Sequence, residues 1–531
     1  MKGIISEKQK KKSKVSCRRK AMSALFLLSL FLFCFCLGQE LQVPVRAEEQ
    51  TDSGSLPYIP ELTSEVEAVR ASDTEGEART SSEGNHASQL DKQPAQTKAK
   101  RQIIYYNDGR RPEDQETHTV TIGAVGEVLM HSSVLNGGFD AEGNSDYDYM
   151  FRYLAPELAK LDYSICDMEG TLAGPPYTGY PLFSAPDTVA KAIHSAGFDM
   201  AVTSNNHMMD RGEEGFLRTI QVLQDHGVET VGGRLTDEEP TFVLKKINGI
   251  VVGISAFSYE TVRLGEHRAI NGIPIPKSIE PRIDTFSQEP EYISQDQERI
   301  KERVRQMREA GAELVVFCMH WGTEYLESED DFSQIYSQTL ADAGCDLALN
   351  CGPHVVWPVR MISSQDGSHQ MLCFYSVGNI VSDQYYSIGD SNGRCEDGIL
   401  AVARYEKAPG QAVKLVEAGY IATYCKKENI GYDMNLNSVT PVEAALQDPA
   451  AYEAENFTNE IGASKERTNV LMEQNTLNGF ELKNYVHLPD SWKKTTDVQN
   501  YNEEERPIVL PLPTETNQNG EEIIGPALPK E

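Results

Sequence analysis

Cysteine is scarce in this chain, 10 residues in 531, far too few for a disulfide scaffold. Basic residues are in deficit, 49 Lys and Arg against 80 Asp and Glu, for a formal charge of −31. The deficit is uneven: residues 1–47 carry ten Lys/Arg and two acids, or +8, and the remainder carries 39 against 78, or −39. A body that acidic repels phosphate backbones, which disfavours sequence-independent nucleic-acid binding. Long apolar runs are absent but for one, so the chain is not a polytopic membrane protein. No internal repeat and no glycine-rich phosphate cradle is present. The hydrophobic fraction, 40%, is slightly below that of a typical globular chain and points to disordered segments beside a real core.

The single apolar run is Ala21 to Leu37, and a basic cluster from Lys8 to Lys20 precedes it. Val45-Arg46-Ala47 puts a small residue, Ala47, at a plausible cleavage point, so residues 1–47 read as a signal peptide or a signal anchor. Either places the body outside the cytoplasm, secreted or held on the outer side of the membrane. Residues 48–117, rich in Ser, Thr, Glu, Gln and Ala, read as a disordered linker that cannot bury enough apolar area to order itself. From about 118 to 425 strand patterns alternate with helical ones: VTIGAVGEVLM from Val120, then strands at Asp162–Met168, Asp199–Thr203, Ile250–Phe257, Leu314–Met319 and Leu347–Asn350, with helices between them ended by Gly197, Gly227, Gly311 and Gly344. This alternation makes the class α/β. Residues 426–531 read as a weakly structured extension and an acidic, proline-rich tail.

Five polar clusters fall just after expected strands: Glu127 with His131, Asp167 with Glu169, Asn205-Asn206-His207-Asp210, His320 with Glu324, and Cys351 with His354. Taken singly, each has an ordinary structural explanation. Asn206-His207 can cap a helix, and His320 can be a hydrogen-bonded core histidine. Their recurrence at strand ends is what points to function, because open α/β sheets collect ligands at the carboxyl ends of their strands. His, carboxylate and amide groups meeting there suit a divalent metal such as Mn, Fe or Zn, which could polarise a phosphoryl or carbonyl oxygen and activate water.

The stretches AVGEVLMH (124–131), DMEGTLAG (167–174), FSAPDTVAKAIHSAGFDMAVTSNNHMMDRGEEGFLRTIQVLQDHGVETVGG (183–233), VVFCMHWGTEY (315–325), CDLALNCGPHVVWPV (345–359) and FYSVGNIVSDQ (374–384) resemble the bacterial poly-gamma-glutamate capsule synthesis family (CapA type). That family is similar to the calcineurin-like metallophosphoesterases. The resemblance implies a four-layer fold, a metallo-dependent phosphatase-like β-sandwich flanked by helices. It also implies an extracytoplasmic role in making or attaching a surface polymer such as poly-gamma-glutamate, alongside capsule synthesis and export machinery. It places Glu127, Glu169, Asn206, His320 and His354 as metal ligands, with Glu169 bridging, and His207 as the group that contacts the reacting centre and donates a proton. Two positions depart from the family pattern: Glu127 stands where the family has Asp, and Gly352 where it has the first His of His-Pro-His. The expectation is therefore that one metal site is better kept than the other, with Glu127, Glu169 and His354 set against Glu169, Asn206 and His320. Two functions follow: a metal-dependent hydrolase or transferase acting on a phosphoester or amide, and a non-catalytic scaffold or polymer-binding assembly factor with a degenerate site.

Overall fold

The computed structural model describes residues 115–502 apart from 386, together with short strands at Ile103–Tyr106, Ile508–Pro511, Thr514–Thr516 and Glu522–Ile524. All of these belong to one unit, Pro94–Glu531. The expected signal segment, most of the linker and most of the acidic tail lie outside the described residues.

Four strands begin the first sheet: β1 (His118–Val128), β2 (Tyr163–Asp167), β3 (Met200–Val202) and β4 (Glu229–Val231). The chain then builds a second sheet from β5 (Val243–Ile247), β6 (Ile250–Leu264), β7 (Leu314–His320), β8 (Leu347–Leu349), β9 (Val359–Ser363) and β10 (Gln370–Phe374). It returns to the first sheet with β11 (Asn379–Val381), β12 (Asp397–Lys407), β13 (Lys414–Gly431) and β14 (Met434–Pro441). The strand order is β14-β13-β12-β1-β2-β3-β4 in the first sheet and β9-β10-β8-β7-β6-β5 in the second, where Val498–Asn500 pairs antiparallel with β5 as the next strand. β1 to β4 run parallel, as do β6, β7, β8 and β10. The β5–β6 hairpin turns at Asn248-Gly249, both with positive φ (46° and 84°), the backbone that an Asn-Gly pair favours.

Strand alternation sorts the side chains into layers. Val120, Ile122 and Ala124 of β1 meet Val252, Ile254 and Ala256 of β6 and Val316 and Cys318 of β7 in a core between the sheets. The alternate residues of β7, Val315, Phe317 and Met319, face the opposite way. They pack under α3 (Pro290–Glu309) and α4 (Asp331–Ala343). On the far side of the first sheet, α1 (Thr188–Ala196) contributes Val189 and Ile193, and α2 (Gly212–Asp225) contributes Val222 and Leu223. The result is helix, sheet, sheet, helix, the four-layer α/β arrangement expected from the sequence.

Helix ends follow local chemistry. Asp330 caps α4 by accepting from the Ser333 N–H at 2.9 Å, and Gly344 closes that helix in the left-handed conformation. The apolar residues from Tyr149 to Leu161 fall at helical spacing, yet the segment does not make one helix. It forms a 3-10 turn, Asp148–Phe151, and one α-turn, Ala155–Leu158.

The extension beyond 425 is more structured than its composition suggests. Residue 425 falls inside β13, which pairs with β14 along an antiparallel ladder. α5 (Thr458–Met472) buries Ile461 and Met472 against the inter-sheet core. Leu488 and Trp492 join the core under the first sheet. Arg467 grips Asp397 through two bonds of 2.6 and 2.7 Å. The apolar residues here are widely spaced, so periodicity is faint. The exposed sheet face supplies the burial, roughly 1.5–3 kcal/mol for each large apolar side chain removed from water. In the segments read as linker and tail, Ile103–Tyr106 pairs in parallel with Ile508–Pro511.

Candidate metal centre

Both sheets deliver strand ends to one edge. Glu127 is the penultimate residue of β1, Asp167 ends β2, and Glu169 follows two residues later. Asn205, Asn206 and His207 lie in the turn after β3. From the second sheet, His320 ends β7, and Cys351 to His354 follow β8. β11 pairs with the end of β1, setting Asn379 opposite Glu127. A Cβ on Gly126 would stand 1.6 Å from the Gly378 carbonyl oxygen, so only glycine lets these two backbones meet.

Burial makes the electrostatics severe. Glu127, Glu169 and His320 are wholly excluded from solvent, and Asn206, His207 and His354 nearly so. The Glu127 carboxyl is pushed up to about 8 by burial, with Asp167 adding repulsion. Glu169 is driven well above the usual carboxylate range by burial and then by Glu127 and Asp167. The His354 imidazole is pushed down to about 3 by burial, with His320 contributing. Glu324 is also raised by burial, while His207 and His320 pull it down.

Hydrogen bonds fix the orientations. Asp167 takes the His320 Nδ1 at 2.8 Å on one oxygen and the Asn205 amide at 3.0 Å on the other. The His207 Nδ1 lies 2.8 Å from Asp210, whose same oxygen accepts the Phe183 N–H at 2.7 Å. The Phe183 ring packs edge-on against the His207 ring at 4.7 Å. The His354 Nδ1 is 3.1 Å from the Asn379 Oδ1. The Gly352 N–H donates to Glu127 Oε1 at 2.5 Å.

Several buried atoms are left over. Glu127 Oε2, both Glu169 oxygens, Asn206 Oδ1 and His320 Nε2 have no hydrogen-bond partner among the described residues. Buried polar atoms without partners cost about 1–3 kcal/mol each, and five at one point form a set of donors suited to a cation. Glu127, Glu169 and His354 bring ligand atoms within 4.8 Å of one another, and so do Glu127, His320 and Cys351. The donors fit a divalent metal, with the Asp167–His320 pair in the carboxylate–histidine arrangement that orients metal ligands. A cavity of about 630 Å³ opens over them, lined in part by His131, Phe183, Asn206, His207, Tyr325 and His354.

Residues 121–384 match the family model described as bacterial capsule synthesis protein PGA_cap. The chain belongs to this family. It is 27% identical over 277 residues to the capsule biosynthesis protein CapA of Bacillus anthracis, a match covering 51% of this chain and 61% of that protein. It is 22% identical over 316 residues to the PGA biosynthesis protein CapA of Bacillus subtilis (strain 168), covering 55% and 75%. The chain thus spans about three-fifths of the first of these relatives. Among solved structures, the NAD nucleotidase NadN of Haemophilus influenzae aligns with 10% identity and a TM-score of 0.34, over 69% of this chain and 58% of that one.

In this chain the ligand atoms of the first expected set, Glu127, Glu169 and His354, come within 4.8 Å of one another. Glu127, not Glu169, is the carboxylate common to both close groups, and His320 groups with Cys351. Asn206 faces the cavity beside His207. Three supporting residues lay beyond the sequence-level site. Asp167 and Asp210 sat in the right strand-end clusters, but their roles as imidazole partners depend on side-chain direction. Asn379 carried no local signal, because pairing of β11 with β1 brings it to the site from 25 residues past His354.

Proposed function

We propose that this chain acts outside the cytoplasm in making or attaching an anionic surface polymer of the poly-gamma-glutamate kind, together with capsule synthesis and export components. We further propose that its cleft is a divalent-metal centre for hydrolysis or transfer at a phosphoester or amide. Family membership supports the polymer class, and the basic and apolar segment at 1–47 supports the location. The chemistry rests on one observation: the five partnerless buried ligand atoms at the edge where the two sheets' strands end. A strongly acidic body has no electrostatic grip on a polyanion by itself, and cations in the cleft would bridge the two.

Glu127, Glu169 and His354 would hold one cation, with Asn206 and His320 reaching toward a second. When bound, the metal supplies Lewis acidity and a lowered water pKa. The chain's residues do the rest. Asp167 holds the His320 Nδ1, so Nε2 faces the donors. Asp210 holds the His207 Nδ1 at the cavity wall, leaving Nε2 to give a proton to a leaving group. Tyr180, Leu182, Phe183 and Tyr325 wall the cavity and limit water.

The test is the metal content of the purified chain beside a Glu169→Ala/His354→Ala double variant, followed by turnover of phosphodiesters and gamma-glutamyl amides. Near-stoichiometric transition metal that the variant loses supports the centre. A folded wild type that takes up no supplied metal sinks it and leaves the second reading, a polymer-binding assembly factor. One observation favours that reading: Gly352 supplies no ligand side chain, and its N–H occupies one Glu127 oxygen.

A further inference from the structure

We propose that Cys351 supplies a thiolate ligand to the second cation position, alongside Glu127 and His320. The inference rests on the reading that the cleft binds divalent metal, and it concerns the place where this chain departs from its family pattern.

Gly352 cannot be a ligand position here. Its φ is +119°, and a Cβ would lie 2.3 Å from the Trp321 carbonyl oxygen and 2.9 Å from the Trp321 nitrogen. No side chain enters that space without moving the backbone. The residue before it points into the site. Cys351 and His320 are neighbours across a parallel bridge, with the Cys351 N–H bonded to the Met319 carbonyl at 3.1 Å and the Trp321 N–H to the Cys351 carbonyl at 2.9 Å. Side chains paired in this way project to the same face. The Cys351 sulfur, a Glu127 oxygen and a His320 nitrogen accordingly lie within 4.8 Å of one another.

Each partner has an atom free for a cation. Asp167 occupies the His320 Nδ1, leaving Nε2 buried and partnerless. The Gly352 N–H fixes Glu127 through Oε1, leaving Oε2 buried and partnerless. The Cys351 Sγ is 3.4 Å from Asp167 Oδ2, an S–H contact that ends when the thiol releases its proton to solvent and binds metal as thiolate. The two departures from the family pattern therefore act together. The longer Glu127 reaches the amide of a residue that has no side chain, and the ligand moves back one position to sulfur. One thiolate, one imidazole and one carboxylate favour Zn²⁺, Fe²⁺ or Co²⁺ over Mg²⁺ and Mn²⁺.

The experiment loads metal-stripped full-length chain with Co²⁺ and records bound cobalt and the near-ultraviolet sulfur-to-cobalt charge-transfer band. Wild type should bind two equivalents and show the band. Cys351→Ser should lose the band and one equivalent, while Cys318→Ser, a change at another buried cysteine near Asp167, should keep both. Zinc K-edge absorption of wild type should show a sulfur scatterer at about 2.3 Å, about half a sulfur per zinc averaged over two sites, a readout that does not depend on the variant folding. Cobalt binding without the band, or a band lost in Cys318→Ser but not in Cys351→Ser, overturns the thiolate and leaves the metal centre standing. A folded chain that binds no cobalt overturns both.

Discussion

Glu169→Gln should change the stability of the metal-free protein with opposite signs at low and high pH. Glu169 is fully buried, and neither carboxylate oxygen has a hydrogen-bond partner among the described residues. Burial, Glu127 and Asp167 hold its folded pKa well above the ordinary 4.5. The folded state therefore keeps a proton that the unfolded chain has released, and stability contributed by this group falls as pH rises above the unfolded value. Each pH unit between the unfolded and the folded pKa costs about 1.4 kcal/mol, so holding the proton costs under about 1 kcal/mol near pH 5 and more at each unit above it. Gln has no such proton, but its buried amide lacks partners, a cost of about 1–3 kcal/mol at either pH. The variant should be less stable than wild type by about 1 kcal/mol near pH 5 and more stable than wild type near pH 8. Urea unfolding of chelator-treated protein at the two pH values measures both. Saturating metal should reverse the order at high pH: wild type gains about 2.7 kcal/mol at a hundredfold excess over Kd, and the variant, lacking a ligand, gains less. A variant that is less stable by the same margin at both pH values, with an unchanged metal response, would refute the reasoning.

Metal binding should release protons, since Glu127 at about 8 and the raised Glu169 must ionise to ligate. Calorimetry near pH 7 in two buffers of different ionisation enthalpy should report at least one proton, and a buffer-independent enthalpy would contradict this. Gly352→Ala should destabilise the fold by about 3 kcal/mol or more, from the left-handed backbone and the contact with Trp321, and a denaturation midpoint within error of wild type would remove the steric argument. His207→Ala should abolish turnover while lowering stability by only about 1–2 kcal/mol through the lost Asp210 bond, and Asp210→Asn should reduce kcat by misorienting the imidazole. Activity equal to wild type in His207→Ala excludes it as proton donor. Ending the chain at residue 425 should abolish cooperative folding, because β13 loses its far end and its β14 partner, and α5, Leu488 and Trp492 leave both cores. A sharp near-ultraviolet melting transition in that truncation would show the extension to be dispensable.

Local pattern determined the α/β class by itself. Runs such as LVVFCMH at 314–320 alternate between two buried faces, and glycines at 197 and 344 end helices in the left-handed conformation wherever they stand. Recurrence of His, carboxylate and amide groups after strands likewise marked Glu127, Glu169, Asn206, His207, His320 and His354 before any contact was known, because parallel strands deliver their carboxyl ends to one edge. Tertiary structure alone decided which of these groups bring their ligand atoms within reach of one another. Glu127 became the common carboxylate because the Gly352 amide, 225 residues away in sequence, turns its side chain toward both groups. Cys351 faces the site because β7 and β8 pair in one register. Asp167 and Asp210 became imidazole partners through side-chain directions that strand and loop geometry set. Order past residue 425 was also a tertiary outcome. A segment with faint periodicity folds when an open sheet face offers it burial, and that face exists only after the strands of two distant halves have paired.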